Sequence, residues 1–275
     1  MRKSIANKSN HQLGDWSQWV KDKKVSNVDF FAEALETMGK DYGIGNGGTM
    51  AIGLIGSRDL PGLALRRAQS VLRWDRRPSK WSHAFLFRKP RSRLKTTRIL
   101  EVPLHARNGV FPRPEENGLN EDATLAAYDT KEDVNVALIV VGKRSVSKGG
   151  AVTLGHLDSD DVDKVEKQAD QPNADRLRYD LWESLSVWKQ FLWSDGTGVN
   201  PLREGVPIPS SAYVEMAYEA IGLDLVPGAS ERNSAPEHIW NAARWWHQES
   251  VCKEEGHDAS PFVMSGCFAV RDYGG

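Results

Sequence analysis

Short apolar runs of strand length are spaced along the chain. The run 50–55 is almost continuously apolar, as expected for a buried strand. Residues 81–87 alternate with a period of two between side chains that carry a ring and side chains that do not, which is typical of a strand with two distinct faces. The segments 98–104, 133–141 and 262–270 predict three further strands.

Amphipathic stretches with helical spacing lie between and after these runs. They predict helices over 61–72, 179–193, 210–221 and 234–247. The last of them begins with Ser234-Ala235-Pro236-Glu237, a capping-box start with proline in the first turn. Together the elements predict the α+β class, with a small antiparallel sheet on which helices pack.

The chain before residue 43 has a pattern of its own. Apolar residues recur at helical spacing around Trp16–Val20 and again around Phe30–Met38, so we predict a helical N-terminal extension over 1–42. Its apolar stripe must be covered by the main domain, which we favour, or by a partner. The main domain is assigned to 43–275, with a polar, acidic excursion at about 143–176 that carries an exposed helix.

Composition narrows the class of protein without naming a function. Of 275 residues 40% are hydrophobic and 27% charged, with a formal net charge of -1, as in an ordinary soluble globular protein. With this net charge, the protein as a whole has no positive electrostatic field that would attract nucleic acid or anionic lipid. We interpret the local arginine clusters as solvent-exposed faces of helices and loops. The clusters are Arg66–Arg67, Arg76–Arg77 and Arg88–Arg93.

Neither a metal nor a dinucleotide is expected. Cys252 and Cys267 have no metal-site spacing, and the acidic run 158–163 lacks the glycine and closing glutamate of a calcium loop. The glycines of 43–48 precede a strand instead of following one, which argues against a nucleotide-binding turn. No cofactor is therefore predicted.

The chain carries no recognisable export signal or membrane span. The first ten residues are charged and polar, and no apolar run follows them. We expect synthesis in the cytoplasm without a signal peptide. Export by a machine that needs no cleaved signal is left open.

A histidine and a glutamate stand out in the predicted sheet. Alternation places Trp81, His83, Phe85 and Phe87 on one face of their strand. If 81–87 and 98–104 form a hairpin, a simple register puts Glu101 opposite His83, where a carboxylate fixes the tautomer of an imidazole. His105 is an alternative if the hairpin slips. Each residue alone is more often structural, because a histidine in an aromatic strand is usually a packed core residue.

Two serines begin the helix predicted over 210–221. Ser210 and Ser211 would lie at the positive end of the helix dipole, beside backbone N–H groups that can hold an oxyanion. A cysteine there would form a stable thiolate, whereas a serine depends wholly on a base. A serine at a helix start is most often only a cap. The hypothesis of a catalytic site therefore depends on the presence of the histidine, the glutamate and the serine together, in this order along the chain.

Five segments in this order resemble the circularly permuted NlpC/p60 group of papain-like hydrolases, which includes YiiX-like proteins and, more distantly, relatives of lecithin:retinol acyltransferase. They are Gly53–Ser57, Ser82–Leu86, Leu100–Val102, Ser210–Gly222 and Ala235–Trp240. In that group the chain order is histidine, polar residue, nucleophile. The resemblance covers roughly residues 46–270.

The resemblance implies a thiol-type hydrolase or acyltransferase that acts on an amide or ester carbonyl. Residue 210 would attack, His83 would be the base and Glu101 would orient His83, while backbone N–H groups of Ser210 and Ser211 would form the oxyanion hole. Peptidoglycan peptides are the favoured substrate and acyl lipids the second. A missing signal peptide with such a fold suits a secreted effector with a delivery or immunity partner; no nucleic-acid partner is expected.

The chain departs from the family at the decisive position. The family's nucleophile is cysteine, and Ser210 stands in its place. The serine indicates an inactivated form of the enzyme; a natural serine variant or a catalytically dead, cleft-containing binding module is the alternative. A different alignment that puts Ala212 or Tyr213 at the cysteine position fits the following hydrophobic pattern less well.

Overall fold

One mixed sheet organises the described part of the chain. The computed structural model describes residues 17–20, 26–42, 51–88, 97–104, 125–128, 135–146, 152–155, 157–170, 175–226, 234–251 and 262–270. Within these residues the strands are β1 (Ser17–Val20), β2 (Ala51–Gly56), β3 (His83–Phe87), β4 (Ile99–Leu100), β5 (Asn135–Val146), β6 (Val152–Gly155) and β7 (Phe262–Val270). Their order is β1-β7-β5-β2-β3-β4, and β6 pairs with β5. Every pairing is antiparallel except that of β1 with β7.

Six α-helices belong to the same described residues. They are α1 (Asn27–Tyr42), α2 (Leu60–Ala68), α3 (Ser159–Asp170), α4 (Asp175–Trp193), α5 (Pro209–Glu219) and α6 (Pro236–Val251). Short 3-10 turns occur at Gln69–Leu72, Leu125–Tyr128 and Pro201–Glu204. The predicted α+β class is therefore confirmed. None of these described helices has the length and apolar content that a bilayer crossing requires.

Helix α1 packs on the face of the sheet that carries His83. The ring of Phe31 lies edge-on to Phe85 and Phe87, with centroids 5.8 and 5.2 Å away. Phe85 and His83 are two residues apart in β3, so their side chains leave the strand on the same side. The His83 and Phe85 rings are 6.3 Å apart in a stacked arrangement. The histidine therefore lies beside an aromatic layer that packs under α1.

Helix α6 covers the opposite face. Its Trp240 meets Phe268 of β7 edge-on at 4.6 Å. The register pairs Phe268 with Ala137 of β5, Ala137 with Leu54 of β2, and Leu54 with Ala84 of β3. Directly opposed residues of neighbouring strands share a face, so α6 lies on the Ala84 side of the sheet.

The predicted helix around Trp16 and Val20 is a strand instead. Ser17–Val20 forms β1 and pairs in parallel with β7, beginning with Ser17 opposite Cys267. The pattern of Trp16, Trp19 and Val20 is too short to distinguish a helix from a strand. A four-residue edge strand forms because the backbone of its partner strand is available for pairing. The second half of the N-terminal segment is a helix, and Phe30 and Phe31 of α1 are buried in the common core.

The predicted polar excursion at 143–176 is largely regular structure. Strand β5 continues to Val146 and pairs with β6, and α3 follows with Val162, Val165 and Ala169 buried. Helix α3 packs against α5. The apolar stripe at i, i+3 and i+7 was concealed by the many charges between its members.

The acidic residues at the start of α3 pair with a lysine of β5. Lys143 forms ion pairs with Asp158 and Asp161. The hydrogen bonds that Lys143 donates to Asp158 and then to Asp161 raise the pKa of Lys143, and the ammonium lowers the pKa of Asp158. These carboxylates therefore neutralise a lysine at the β5–α3 junction.

Candidate functional site

The hydroxyl of Ser82 fixes the backbone at the entry to β3. It donates to the Ile55 carbonyl at 3.1 Å and accepts from the Ser57 N–H at 2.9 Å. The Ser82 N–H also donates to the Ile55 carbonyl, at 2.7 Å. The serine before the histidine therefore ties the end of β2 to the start of β3. His83 is the first residue that follows this tie.

A buried polar network holds the residues just before Ser82. Glu237 in the first turn of α6 accepts from the Ser79 hydroxyl at 2.6 Å and from Arg73 Nη1 at 2.8 Å. Gln69 accepts from the Glu237 N–H at 2.9 Å and donates to the Trp81 carbonyl at 2.7 Å. The start of α6 and the lead-in to β3 are thus one hydrogen-bonded unit. Sequence reasoning recognised Glu237 only as part of a helix start.

Trp81 does not share the face of His83, contrary to the prediction. Its ring packs on Trp240 of α6 at 4.8 Å, on the opposite side of the sheet. Strand β3 begins at His83, so the two residues before it do not follow the strand's alternation.

His83 and Glu101 form a buried pair. The distance from His83 Nε2 to Glu101 Oε2 is 2.9 Å, and the side chains are 1% and 0% exposed. A carboxylate at this distance holds the imidazole ring in one orientation and selects the tautomer with a proton on Nε2. The two candidate residues that sequence reasoning chose are therefore in direct contact.

The register that brings them together differs from the predicted one. Strands β3 and β4 pair Leu86 with Leu100 and Phe87 with Ile99, which puts Glu101 level with Phe85 and not with His83. A shift of two residues preserves the face of the sheet, because side chains alternate with a period of two. Glu101 therefore still reaches His83, along the strand instead of directly across.

Tyr128 is a third member of this group that sequence reasoning missed. Its hydroxyl donates to Glu101 Oε2 at 2.6 Å. Its ring stacks on Phe85 at 5.4 Å and lies 6.0 Å from the His83 ring. The same carboxylate oxygen therefore contacts both the imidazole and the phenol. Tyr128 comes from a 3-10 turn, and no sequence pattern links that turn to β4.

We expect Tyr128→Phe to lower the free energy of unfolding by about 1.5–3 kcal/mol, because the lost hydrogen bond is made to a carboxylate. The ring that packs on Phe85 is retained. Tyr213→Phe is the matched control: its buried hydroxyl donates to the neutral Ala169 carbonyl at 2.6 Å, so we expect a loss of about 0.5–1.5 kcal/mol. Urea unfolding measures both; equal losses would show that the charge on Glu101 adds nothing to the Tyr128 bond.

The first turn of α5 reaches β3 beside the histidine. Ser210 Oγ accepts a hydrogen bond from the Ala84 N–H at 3.4 Å. Strand β4 pairs with Leu86 and Phe87, at the other end of β3. Ser210 and Ser211 both have no exposed surface. The predicted nucleophile position is thus adjacent to the residue that follows His83.

The prediction for the Ser211 backbone needs correction. The Ser211 N–H donates to the Ile208 carbonyl at 3.0 Å, and the Ala212 N–H donates to the same oxygen at 3.1 Å. The Ser211 N–H is therefore already used inside the first turn and does not point to an oxyanion. Of the two backbone donors predicted for the oxyanion hole, only the Ser210 N–H is kept as a candidate.

The remaining candidates play no part in this group. His105 and Cys252 lie outside the described residues. Cys267 is buried in β7, where burial strongly raises the pKa of its thiol, so it is held as a neutral, unreactive thiol. Among the described residues, no cluster of three or more histidine, cysteine or carboxylate side chains is placed to hold a metal ion.

Comparisons with known proteins give no relative from which the role of the site could be inferred. No protein-family model, no curated protein and no solved structure matches the chain. The arrangement itself pairs an imidazole with a buried carboxylate and puts a hydroxyl in the first turn of a helix beside the same strand. These are the parts required for base-assisted attack on a carbonyl.

Proposed function

We propose that this protein is a papain-like hydrolase or acyltransferase of the permuted NlpC/p60 type that acts on an amide or ester carbonyl. The observation that carries the proposal is the buried 2.9 Å contact of His83 with Glu101, on the strand whose next residue meets Ser210. The permuted order of histidine, carboxylate and nucleophile along the chain supports it. We propose the papain-like fold together with this activity, as a finer description of the α+β structure.

Each residue of the group has a defined role in this proposal. The side chain at position 210 attacks the carbonyl carbon and gives its proton to His83 Nδ1, since Nε2 faces Glu101. Glu101 then stabilises the imidazolium, which gives the proton to the leaving amine or alcohol as the carbonyl C–N or C–O bond breaks and the acyl group stays on residue 210. Water, or an acceptor alcohol or amine, then attacks the acyl group with His83 again as base, and the proton returns to the side chain at position 210. The positive end of α5 and the Ser210 N–H stabilise the oxyanion.

Peptide amides of peptidoglycan are the favoured substrates and acyl-lipid esters the second. Synthesis in the cytoplasm, export by a signal-independent system and a delivery or immunity partner complete the hypothesis. These expectations derive from the family resemblance.

A non-catalytic binding module is the second candidate, and two observations favour it. A serine hydroxyl is too weak an acid for the helix dipole to ionise. Ser210 and His83 are also 0% and 1% exposed, so a substrate would have to open the centre before reaching them. Such a protein would bind the ligand and leave its carbonyl intact.

Assays of Ser210→Cys protein on peptidoglycan fragments and on phospholipids test the enzymatic proposal. We expect cleavage or transfer of one substrate class, because a thiol at a helix start is a far better nucleophile than a hydroxyl. Adding His83→Ala to this variant should abolish the activity, since the base is removed.

Ser211→Cys is the matched control, because it puts a thiol in the same buried turn one residue away. We expect no activity from it. If the Ser210→Cys protein acts on neither substrate class, or if His83→Ala leaves its activity unchanged, the enzymatic proposal is wrong and the binding module is favoured.

A further inference from the structure

A surface formed by α2 and the segment after it exposes large apolar side chains. Leu60 and Leu63 are 76% and 43% exposed, and they lie on the same side of α2 as the exposed Arg67. Trp74, just after the following 3-10 turn, is 94% exposed. A single exposed apolar side chain is ordinary, but several large ones grouped among polar residues mark a surface that binds a protein or a membrane.

The loop after α4 extends this surface. Trp193, the last residue of α4, is 70% exposed, and Val199 near the end of the loop is 71% exposed. The loop lies along α2: a Cβ at Gly196 would be 3.4 Å from the Ala64 Cβ, and the Asn200 amide donates to the Ala68 carbonyl at 2.8 Å. We call Leu60, Leu63, Trp74, Trp193, Val199 and the exposed arginines of 57–80 the α2 surface.

The α2 surface is strongly basic although the whole chain is not. Residues 57–80 contain seven basic and two acidic residues, against a net charge of -1 for the entire protein. The exposed arginines are Arg58, Arg67, Arg76 and Arg77. One of the two acids, Asp75, accepts hydrogen bonds from Nε and Nη2 of Arg73, and these bonds lower the pKa of Asp75 to about 2. Asp75 is therefore ionised at neutral pH and offsets one arginine, and seven basic against two acidic residues still leave an excess of five positive charges over 57–80.

We propose that the α2 surface attaches the protein to a bilayer that contains anionic phospholipid. Exposed tryptophan and leucine side chains insert at the level of the headgroups, and arginines between them bind the phosphates. Charge complementarity with anionic headgroups selects this occupant. Nucleic acid would also attract the arginines, but it offers nothing to cover Leu60, Leu63 and Val199.

The position of the surface links it to the candidate site. Helix α2 begins four residues after the end of β2, and Ser57 in that connection donates its N–H to Ser82, next to His83. Attachment through α2 would therefore bring this end of the sheet towards the lipid. The attachment requires none of the chemistry proposed above, so either proposal can fail alone.

Sedimentation of the full chain with vesicles tests the attachment. We expect at least about tenfold stronger partitioning to phosphatidylcholine–phosphatidylserine vesicles than to phosphatidylcholine alone, declining as salt is raised. The Trp74→Ala/Trp193→Ala protein should lose about tenfold in partitioning. Trp245→Ala is the matched control, because Trp245 on α6 is also exposed, by 49%, but lies outside the α2 surface.

Charge reversal separates lipid binding from a nonspecific effect of net charge. Arg67→Glu/Arg76→Glu should abolish the preference for phosphatidylserine, whereas Lys164→Glu/Lys167→Glu, at exposed positions of α3, should keep it. All four changed residues are exposed, and the side-chain hydrogen bond that Arg76 donates to the Val71 carbonyl at 3.1 Å is itself exposed, so the equilibrium constant of unfolding should stay within about twofold of that of the parent protein, or about 0.5 kcal/mol. Equal partitioning to both vesicle types, equal effects of the two charge reversals, or displacement of bound protein by short double-stranded DNA would each overturn the proposal.

Discussion

The Ser210→Cys protein is expected to carry a thiol whose pKa lies at least about two units below the ordinary value of about 8.5. Two opposing effects act at this position. The helix N-terminus and a neighbouring imidazolium lower a thiol pKa, to roughly 3.5–7.5 in reactive cysteines. Complete burial raises it, as the raised pKa of Cys267 in the same protein illustrates. The sign of the shift therefore reports which effect dominates.

Thiolate absorbance, titrated as a difference from the parent chain, measures this pKa without requiring a reagent to enter the site. The difference cancels the signals of the two native cysteines. Adding His83→Ala should raise the pKa of the introduced thiol, because the neighbouring cation is lost. Ser211→Cys should give a pKa at or above the ordinary value. A raised pKa in the Ser210→Cys protein would mean that burial dominates and that no activated nucleophile can form at this position.

The core elements could be predicted from the sequence because each has a strong pattern of its own. The strand predicted over 262–270 is β7, and the helix predicted over 179–193 forms most of α4. Strands β1 and β6 were missed, since each has four residues and exists through pairing with a longer neighbour. A short edge strand is specified by its partner's backbone, and single-sequence periodicity does not contain that information.

The contact of His83 with Glu101 shows which part of a site a sequence can predict. Alternation places side chains on faces, and the face assignments of both residues hold. Register depends on the length and path of the connection, and here it differs by two residues. A one-residue error would have sent Glu101 to the face covered by α6. The predicted contact therefore depended on the face that each side chain occupies, which a shift by two residues does not change, and not on the exact register.

The parts that failed depend on contacts between distant segments. Tyr128 reaches Glu101 from a turn that shares no periodic pattern with β4, so only the fold can bring them together. The Ser211 N–H is used by the Ile208 carbonyl, and whether a first-turn donor is already used depends on local backbone angles that composition does not reveal.

Burial gives the candidate site an energetic constraint. Glu101 has no exposed surface, and a buried carboxylate is stable only when hydrogen-bonded or paired. His83 and Tyr128 both contact one of its oxygens. A group of this kind stabilises the fold only when complete, which explains how a fold could retain the imidazole–carboxylate pair even with serine at position 210.

Trp188→Ala is expected to lower the free energy of unfolding by about 3–5 kcal/mol. Trp188 has no exposed surface and meets Phe191 edge-on at 5.5 Å. Its indole N–H also donates to the Pro207 carbonyl at 2.6 Å, two residues before α5 begins. Urea unfolding measures the loss, and Trp245→Ala, at a half-exposed position, should cost about 0.5 kcal/mol or less.

The same residue should control position 210 through the start of α5. Trp188→Phe keeps an aromatic ring but removes the donor to Pro207, so the backbone leading into Ser210 loses one of its anchors. Combined with Ser210→Cys, it should move the thiol pKa back towards 8.5, because the helix start no longer holds its place beside β3. An unchanged thiol pKa together with a reduced free energy of unfolding would show that Trp188 is a core residue only. In that case the packing of α3 on α5 and the Ala84–Ser210 hydrogen bond are sufficient to fix the first turn.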